Sequence, residues 1–413
     1  MKPFPDILEI KPPKHPPNAI VTVPGSKSIT NRALVLAALS QEKCTLHGAL
    51  WADDTQVMVD SLQKLGFRVE VSPDPVEECN RTIVVEGRGG KIPAKRAELY
   101  VGNAGTAARF LTALVTLGRG GEYTITGDAR MQERPMDDLF ETLRSYAAAD
   151  SETQIIAPNN RLPATIRPGS GVWRHGTSVV VSAEQSSQFA SALLLISKAA
   201  NIKSVTLKEP EPPFGYVPMT RRMIGEFQPD YAIEPDLSSA SYFVAAGWLT
   251  RGSIEVAGWP KDSLQIDGRF PDFLPPPRVV SRLRDLGDSV MTLAVCALFG
   301  DHPMQLVHGE RMREQECDRL RAMVTELRRI GAHAEEAADG LTVYPAKPGA
   351  LRGAEVETYN DHRMAMSFAV LGLKLPGIRI KNPQCVSKTF PNFFDKLKQL
   401  GAELRDARTG KKV

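Results

Sequence analysis

The sequence contains no long apolar run. Nothing in it approaches the ~20 consecutive apolar residues that span a bilayer, so no transmembrane helix and no membrane partner are expected. Cysteine is sparse: Cys44, Cys79, Cys296, Cys317 and Cys385 are scattered and odd in number, with no CxxC pair, and no HExxH spacing occurs. This fits reduced thiols in the cytoplasm and offers neither a disulfide framework nor a zinc site. An excess of charge is also missing. The 51 Lys and Arg against 48 Asp and Glu leave a formal charge of +3, too little for a protein dedicated to nucleic acid. The first twenty residues, rich in lysine and proline, lack the apolar segment of an export signal. What is present is a globular composition, 42% hydrophobic and 24% charged over 413 residues, with room for two or three folded units.

One pattern recurs six times: a short polar turn followed by an Ala- and Leu-rich helix. The copies begin at Ser28 (SITNRALVLAALS), Asn103 (NAGTAARFLTALVTLG), Ser186 (SSQFASALLLISKAA), Ser238 (SSASYFVAAGWLTRG), Asp288 (DSVMTLAVCALFG) and Asp361 (DHRMAMSFAVLGLK). Ser, Asn and Asp suit helix N-caps, and Gly118 and Gly300 are expected as left-handed C-caps. Apolar residues run almost all round these helices, which predicts burial. Between them lie amphipathic segments (55–65, 136–143, 319–330, 393–400) and Val- and Thr-rich runs that read as strands (82–85, 123–126, 179–182, 341–344), so α/β packing is expected. Six copies suggest three units in each of two domains. Their starts lie 75, 83, 52, 50 and 73 residues apart, so the third and fourth intervals are short by about one β-hairpin.

Several turns hold a cation or a phosphate-binding hydroxyl. PGSKS places Lys27 and Ser28 at a helix start with Arg32 one turn on, and NAGT precedes a helix that carries Arg109. Helix N-termini attract anions through free N–H groups and the helix dipole, and glycine lets the backbone approach them. PGSKS lacks the GxxxxGK[ST] spacing of a nucleotide P-loop. Arg134, Arg319, Arg363 and Lys388 occupy other turns, with Asp288, Glu316 and His362 near them in the sequence. Taken singly, each has an ordinary explanation: a solvated charge, an N-cap, an ion pair within a helix, a structural histidine.

Taken together, PGSKSITNRAL, ADDTQVM, NAGTAARFL, TGDARMQERPM, SSQFASALL, SSASYFVAA, SLQIDGRF, ECDRLRAM, TELRRIGA, TYNDHRMAMSF and KTFPNFF resemble the enolpyruvyl transferase family, in its shikimate-phosphate branch, through nearly the whole chain. The resemblance implies an inside-out α/β barrel of two domains, 26–233 and 1–25 with 234–413, each of three βαβαββ repeats, and an active site in the cleft between them. It implies an enzyme of the shikimate pathway to chorismate, a carboxyvinyltransferase that joins phosphoenolpyruvate to the 5-hydroxyl of shikimate 3-phosphate and releases phosphate. A cytoplasmic monomer is expected, with no metal, no organic cofactor and no nucleic-acid partner. By the same resemblance, Lys27, Asp288, Glu316 and His362 are catalytic. Lys27, Asn103, Gly105, Arg134, Gln188, Arg319, Arg363 and Lys388 match phosphoenolpyruvate contacts, supported by Thr106 and Arg109. Ser28, Arg32, Ser186, Ser187, Gln188, Tyr216, Asp288, Arg311 and Gln315 match the shikimate-phosphate side. Glyphosate is expected at the phosphoenolpyruvate subsite beside Gly105, although Phe110 replaces a proline common there.

Three positions depart from the family pattern. Gln315 stands where a lysine normally touches the acceptor, Pro213 where a serine often binds its phosphate, and Arg311 where many members have asparagine. They leave two other readings open: transfer to a different alcohol, and a non-catalytic relative that binds ligand.

Overall fold

The computed structural model describes residues 4–169, 176–211 and 214–413; Pro213 lies outside them. The chain divides into two compact units, Gly25–Glu234 and Met1–Pro24 with Pro235–Val413. Among the described residues no helix is long and apolar enough to cross a membrane.

The six Ala- and Leu-rich segments are all helical, three in each unit: Lys27–Leu39, Gly105–Val115 and Ser187–Ile196, then Leu237–Thr250, Val290–Cys296 and His362–Leu371. Every residue of Gly105–Val115, Val290–Cys296 and His362–Leu371 is buried, as sequences apolar on all faces require. Their caps differ from the expectation at four starts. Ser26 and Asp236, not Ser28 and Ser238, accept the capping N–H, and Ala104 and Ser289 occupy the cap positions expected for Asn103 and Asp288. Asn103 and Asp288 instead spend their side-chain oxygens on arginines. Ser186 and Asp361 do cap their helices. Gly118 and Gly300 are not left-handed caps either. A Cβ on Gly118 would strike the Tyr123 ring (2.6 Å from Cε2), and Gly300, at φ −82°, follows a 3-10 turn.

Among the described residues each unit has two four-stranded sheets and one two-stranded sheet, all open. The four-stranded sheets share one plan: two parallel strands, then an antiparallel hairpin added to the second. In Gly25–Glu234 one such sheet runs Arg96–Tyr100, Glu122–Thr126, Ala164–Arg167, Gln154–Ile156, and the other Asp230–Ala232, Lys43–Leu50, Asn80–Glu86, Val69–Pro73. The other unit has Val279–Ser281, Met304–Val307, Gly340–Val343, Ala334–Ala337, and a sheet whose hairpin position combines Glu403–Asp406 with Ile7–Lys11 from the opposite end of the chain. The two-stranded sheets, Ser178–Val181 with Ser204–Leu207 and Asn18–Val21 with Ser253–Val256, are parallel and lack the hairpin. They belong to the repeats of the two short intervals, as the spacing predicts. The repeat after Leu237–Thr250 is reduced further. Its second helix is a 3-10 segment, Ile266–Phe273, where Gly268 and Pro271 disfavour an α-helix.

In the unit that holds the C-terminus, the core ends in an aromatic cluster. The Phe393 ring lies 5.5 Å from Tyr242, 5.5 Å from Phe390 and 5.3 Å from Phe394, all near edge-to-face, and is fully buried. Phe393→Ala is expected to destabilise this unit by roughly 3–5 kcal/mol, read from the urea midpoint of its unfolding transition; a loss below about 1 kcal/mol would contradict the packing argument.

Candidate active site

In the unit Gly25–Glu234 the functional turns lie at three helix starts. Gly25 N donates to Asn80 Oδ1 (2.7 Å), and a Cβ there would collide with the Gly48 carbonyl, so the turn before Lys27 admits only glycine. Lys27 Nζ meets Asp54 Oδ2 at 3.1 Å. Ser28 is half-buried at the same helix start. Arg32, expected to face a ligand, instead lies beneath that turn at 1% exposure. Its guanidinium donates to Thr220 Oγ1 (2.7 Å), Ser191 Oγ (3.0 Å) and the carbonyls of Ser28 (3.0 Å) and Tyr216 (3.3 Å), and stacks on Phe110 and Tyr216. All these partners are neutral, and burial pushes the Arg32 pKa down to about 10.

The second and third helix starts are joined by a hydrogen-bonded chain. Arg134 Nη1 donates to Asn103 O (3.2 Å) and Oδ1 (3.1 Å). Arg109 donates to Pro135 O (2.9 Å) and Gln188 Oε1 (3.0 Å), and Gln188 Nε2 donates to Thr106 Oγ1 (3.2 Å). Ser186 caps the helix that begins at Ser187, with its hydroxyl accepting from Gln188 N (3.3 Å). Arg134 is 7% exposed, its hydrogen-bond acceptors are neutral, and its Nε is buried without a partner among the described residues. Among the described residues no carboxylate pairs with it.

The other unit gathers Asp288, Gln315, Glu316, Arg319, His362, Arg363 and Lys388 into one network. Arg319, 2% exposed, donates to Asp361 (Nε–Oδ2 2.7 Å, Nη2–Oδ1 3.2 Å), Glu316 Oε2 (2.9 Å) and Gln315 Oε1 (2.6 Å). Glu316 Oε1 also meets Lys388 Nζ at 3.1 Å. Asp288 faces three guanidinium groups: Arg282 (2.9 Å) and Arg319 (3.5 Å) on Oδ1 and Arg363 (3.1 Å) on Oδ2. Burial opposes the charge on Arg319, but Asp361, Glu316 and Asp288 outweigh it and the pKa rises. Arg363 also rises despite burial, through Tyr242 and Asp288, and burial holds Tyr242 up at about 12. His362 is buried, its Nδ1 3.6 Å from Asp361. Arg311 sits half-buried on the 3-10 segment Glu310–Glu314.

Sequence reasoning missed Asp54, Arg282, Tyr242 and Asp361 as parts of the site. Asp54 and Asp361 lie inside quoted motifs, ADDTQVM and TYNDHRMAMSF, but nothing in the spacing pairs Asp361 with Arg319, 42 residues away. Among the described residues no group of three or more His, Cys, Asp or Glu side chains is arranged to hold a metal ion.

Comparison with known proteins identifies the family. The family model EPSP synthase (3-phosphoshikimate 1-carboxyvinyltransferase) matches residues 12–230, 226–272 and 277–397. The chain belongs to the EPSP synthase family. It is 37% identical to the 3-phosphoshikimate 1-carboxyvinyltransferase of Nostoc punctiforme, covering 96% of this chain and 99% of that one. It is 36% identical to the enzyme of that name from Shewanella denitrificans, over 93% and 96% of the two chains. In fold it is similar to EPSP synthase from Acinetobacter baumannii, with a TM-score of 0.70 at 21% identity over 96% and 99% of the chains. The matched segments overlap at 226–230 and part between 272 and 277, where the two hairpins are missing.

Gly105 sets the position of Arg134. A Cβ there would lie 2.8 Å from Arg134 Cζ and Nη2 and collide with Arg109 Nη1. Gly105→Ala is expected to displace these guanidinium groups and weaken phosphoenolpyruvate binding about 10- to 100-fold, the worth of one charge-assisted hydrogen bond, measured by calorimetry with the fold checked by circular dichroism.

Proposed function

We propose that the chain transfers the carboxyvinyl group of phosphoenolpyruvate to the 5-hydroxyl of shikimate 3-phosphate and releases inorganic phosphate. One observation carries this reading: Asp288 and Glu316, two carboxylates held in a single network of Arg282, Arg319, Arg363 and Lys388. The reaction needs one group to take the hydroxyl proton and another to deliver a proton to the methylene carbon. Asp288 takes the first role and Glu316 the second, with Lys388 beside Glu316 and His362 beside Asp361. Attack gives a tetrahedral intermediate that loses phosphate and a proton. Lys27, Arg134, Arg319, Arg363 and Lys388 stabilise the phosphate and carboxylate charge through fixed guanidinium and ammonium groups.

Both half-sites act on the same substrate pair in this reading, one domain being 26–233 and the other 1–25 with 234–413. Phosphoenolpyruvate takes Lys27, Asn103, Gly105, Arg134 and Gln188 together with Arg319, Arg363 and Lys388. The acceptor takes Ser28, Ser186, Ser187, Gln188 and Tyr216 together with Asp288, Arg311 and Gln315, while Arg32 holds the Ser28 turn from beneath. Incoming anions supply the counter-charge that Arg134 lacks and compete for the guanidinium groups on Asp288. One chain carries every residue invoked, so a monomer suffices, and the cytoplasm is the expected setting for such a biosynthetic step.

A second reading, transfer to a different alcohol, is favoured by Gln315, whose amide oxygen is taken up by Arg319 at 2.6 Å. An acceptor screen separates the two.

Phosphate release is expected only when phosphoenolpyruvate and shikimate 3-phosphate are both present; absence of turnover in folded protein would overturn the assignment. Glu316→Gln should lower kcat by about 10²- to 10⁴-fold in protein that circular dichroism shows to be folded, with a lower melting temperature from the broken pairs to Arg319 and Lys388. Glyphosate is expected to raise the apparent KM for phosphoenolpyruvate and leave kcat unchanged, because Gly105 leaves Arg134 in place; unchanged kinetics at high inhibitor concentration would reject this.

A further inference from the structure

The segment SLQIDGRF carries a carboxylate with no part in the scheme above. We propose that Asp267 is a positioning residue for Asp288, an inference that rests on the role given to Asp288. Asp267 is 2% exposed. Its Oδ1 accepts from Gly287 N (2.6 Å) and from Ser289 Oγ (2.6 Å), and its Oδ2 accepts from Ser238 Oγ. Residues 287 and 289 flank Asp288, so one carboxylate oxygen grips the chain on both sides of it. The approach is close enough to demand glycine: a Cβ on Gly287 would lie 2.8 Å from Asp267 Oδ2.

The donors show what the contact displaces. Ser289 occupies the N-cap position of Val290–Cys296 yet makes no capping bond, because its hydroxyl goes to Asp267. Ser238 lies in the first turn of Leu237–Thr250, so Asp267 ties the starts of two central helices together. Ser241 Oγ and Thr292 Oγ1, 3.1 Å apart, repeat the tie one turn further on. No cation pairs with Asp267 among the described residues, so it is no salt-bridge anchor. Three neutral donors satisfy it, which is the condition for keeping a carboxylate out of water.

Asp288 needs such a hold. Arg282, Arg319 and Arg363 reach it from three segments, two of them on Oδ1 and one on Oδ2. Once anions bind and compete for those guanidinium groups, the backbone position of Asp288 sets where its carboxylate points. Asp267 fixes that position without touching the substrates.

The test combines single and double variants with steady-state kinetics. Asp267→Ala removes both acceptor oxygens, and with them all three hydrogen bonds, and is expected to lower kcat about 100-fold, the cost of misplacing a group by about 1 Å, with the KM for phosphoenolpyruvate within about threefold. Asp267→Asn keeps an oxygen for Gly287 and Ser289 while its amide turns to the rotatable Ser238 hydroxyl, and should recover activity to within about fivefold of wild type. In an Asp288→Asn background, Asp267→Ala should cost no more than about a further threefold, since the residue it positions is already disabled. Equal losses in both backgrounds, or failure of Asn to rescue, would overturn the proposal. If Asp267→Ala does not fold, Ser289→Ala decides: a fall of about fivefold in kcat that disappears with Asp288→Asn supports positioning, and one that persists refutes it. Absence of wild-type turnover would refute the proposed function instead. The grip itself is then read from amide exchange, which should quicken at Gly287 and not at Leu306 in Asp267→Ala; unchanged exchange at Gly287 refutes it.

Discussion

An arginine taken out of water must find partners for five N–H donors and for its charge, and the two units meet that demand in opposite ways. Five arginines are buried among the described residues: Arg32, Arg109, Arg134, Arg319 and Arg363. In the unit with the C-terminus, Arg319 and Arg363 face Asp288, Glu316 and Asp361, so acids and bases hold one another in place. In the other unit, Arg32 and Arg134 bond to hydroxyl, amide and carbonyl oxygens that carry no net charge. The first arrangement orients groups that move protons. The second leaves the positive charge of Arg134 available to an anion. A reaction between two anionic substrates that also requires proton transfer needs both, which is why a chain with a net charge of only +3 concentrates its cations at helix starts.

The fold is legible in the sequence to the extent that it rests on local patterns. Helices apolar on every side must be buried, and six such segments at recurring intervals announce six repeats. The short intervals announce the missing hairpins, because a hairpin has a minimum length. Caps are less legible. Asn103 and Asp288 have the right chemistry for capping, but arginines distant in sequence claim their oxygens, and a charge-assisted bond outweighs a neutral cap. Gly118 looks like a left-handed cap and is instead the floor beneath the Tyr123 ring.

The site divides along the same line. Residues at helix starts, such as Lys27, Arg319 and Arg363, and Arg134 at the end of a short helix, belong to motifs that can be matched one by one. The residues that hold them are set by tertiary approach, and no spacing rule predicts it: Asp361 reaches Arg319 across 42 residues. Arg32 shows the converse. Its motif is plain, but only the structure reveals that the guanidinium lies under its turn, stacked on Phe110 and Tyr216, and not on the surface. Gln315 also becomes interpretable only in place, where its amide oxygen serves Arg319.

The missing hairpins fit this division of labour. In the intact repeats the hairpin strands pair with the second strand of the sheet or with each other, as Ala164–Arg167 does with Glu122–Thr126 and Gln154–Ile156. The residues of the two clusters sit elsewhere, at helix starts and in the turns leading to them. Deleting a hairpin therefore shortens a sheet at one edge and leaves the start of its central helix intact. The shortened repeats bear this out: Ser186 and Gln188 still reach the Arg109 chain, and Ser238 still meets Asp267. The second of these repeats has lost its hairpin and its regular second helix, yet it retains the carboxylate that ties it to the turn at Asp288. Sheet edges in this architecture can be trimmed where helix starts cannot, because the edges contribute area while the starts hold charged groups at fixed separations.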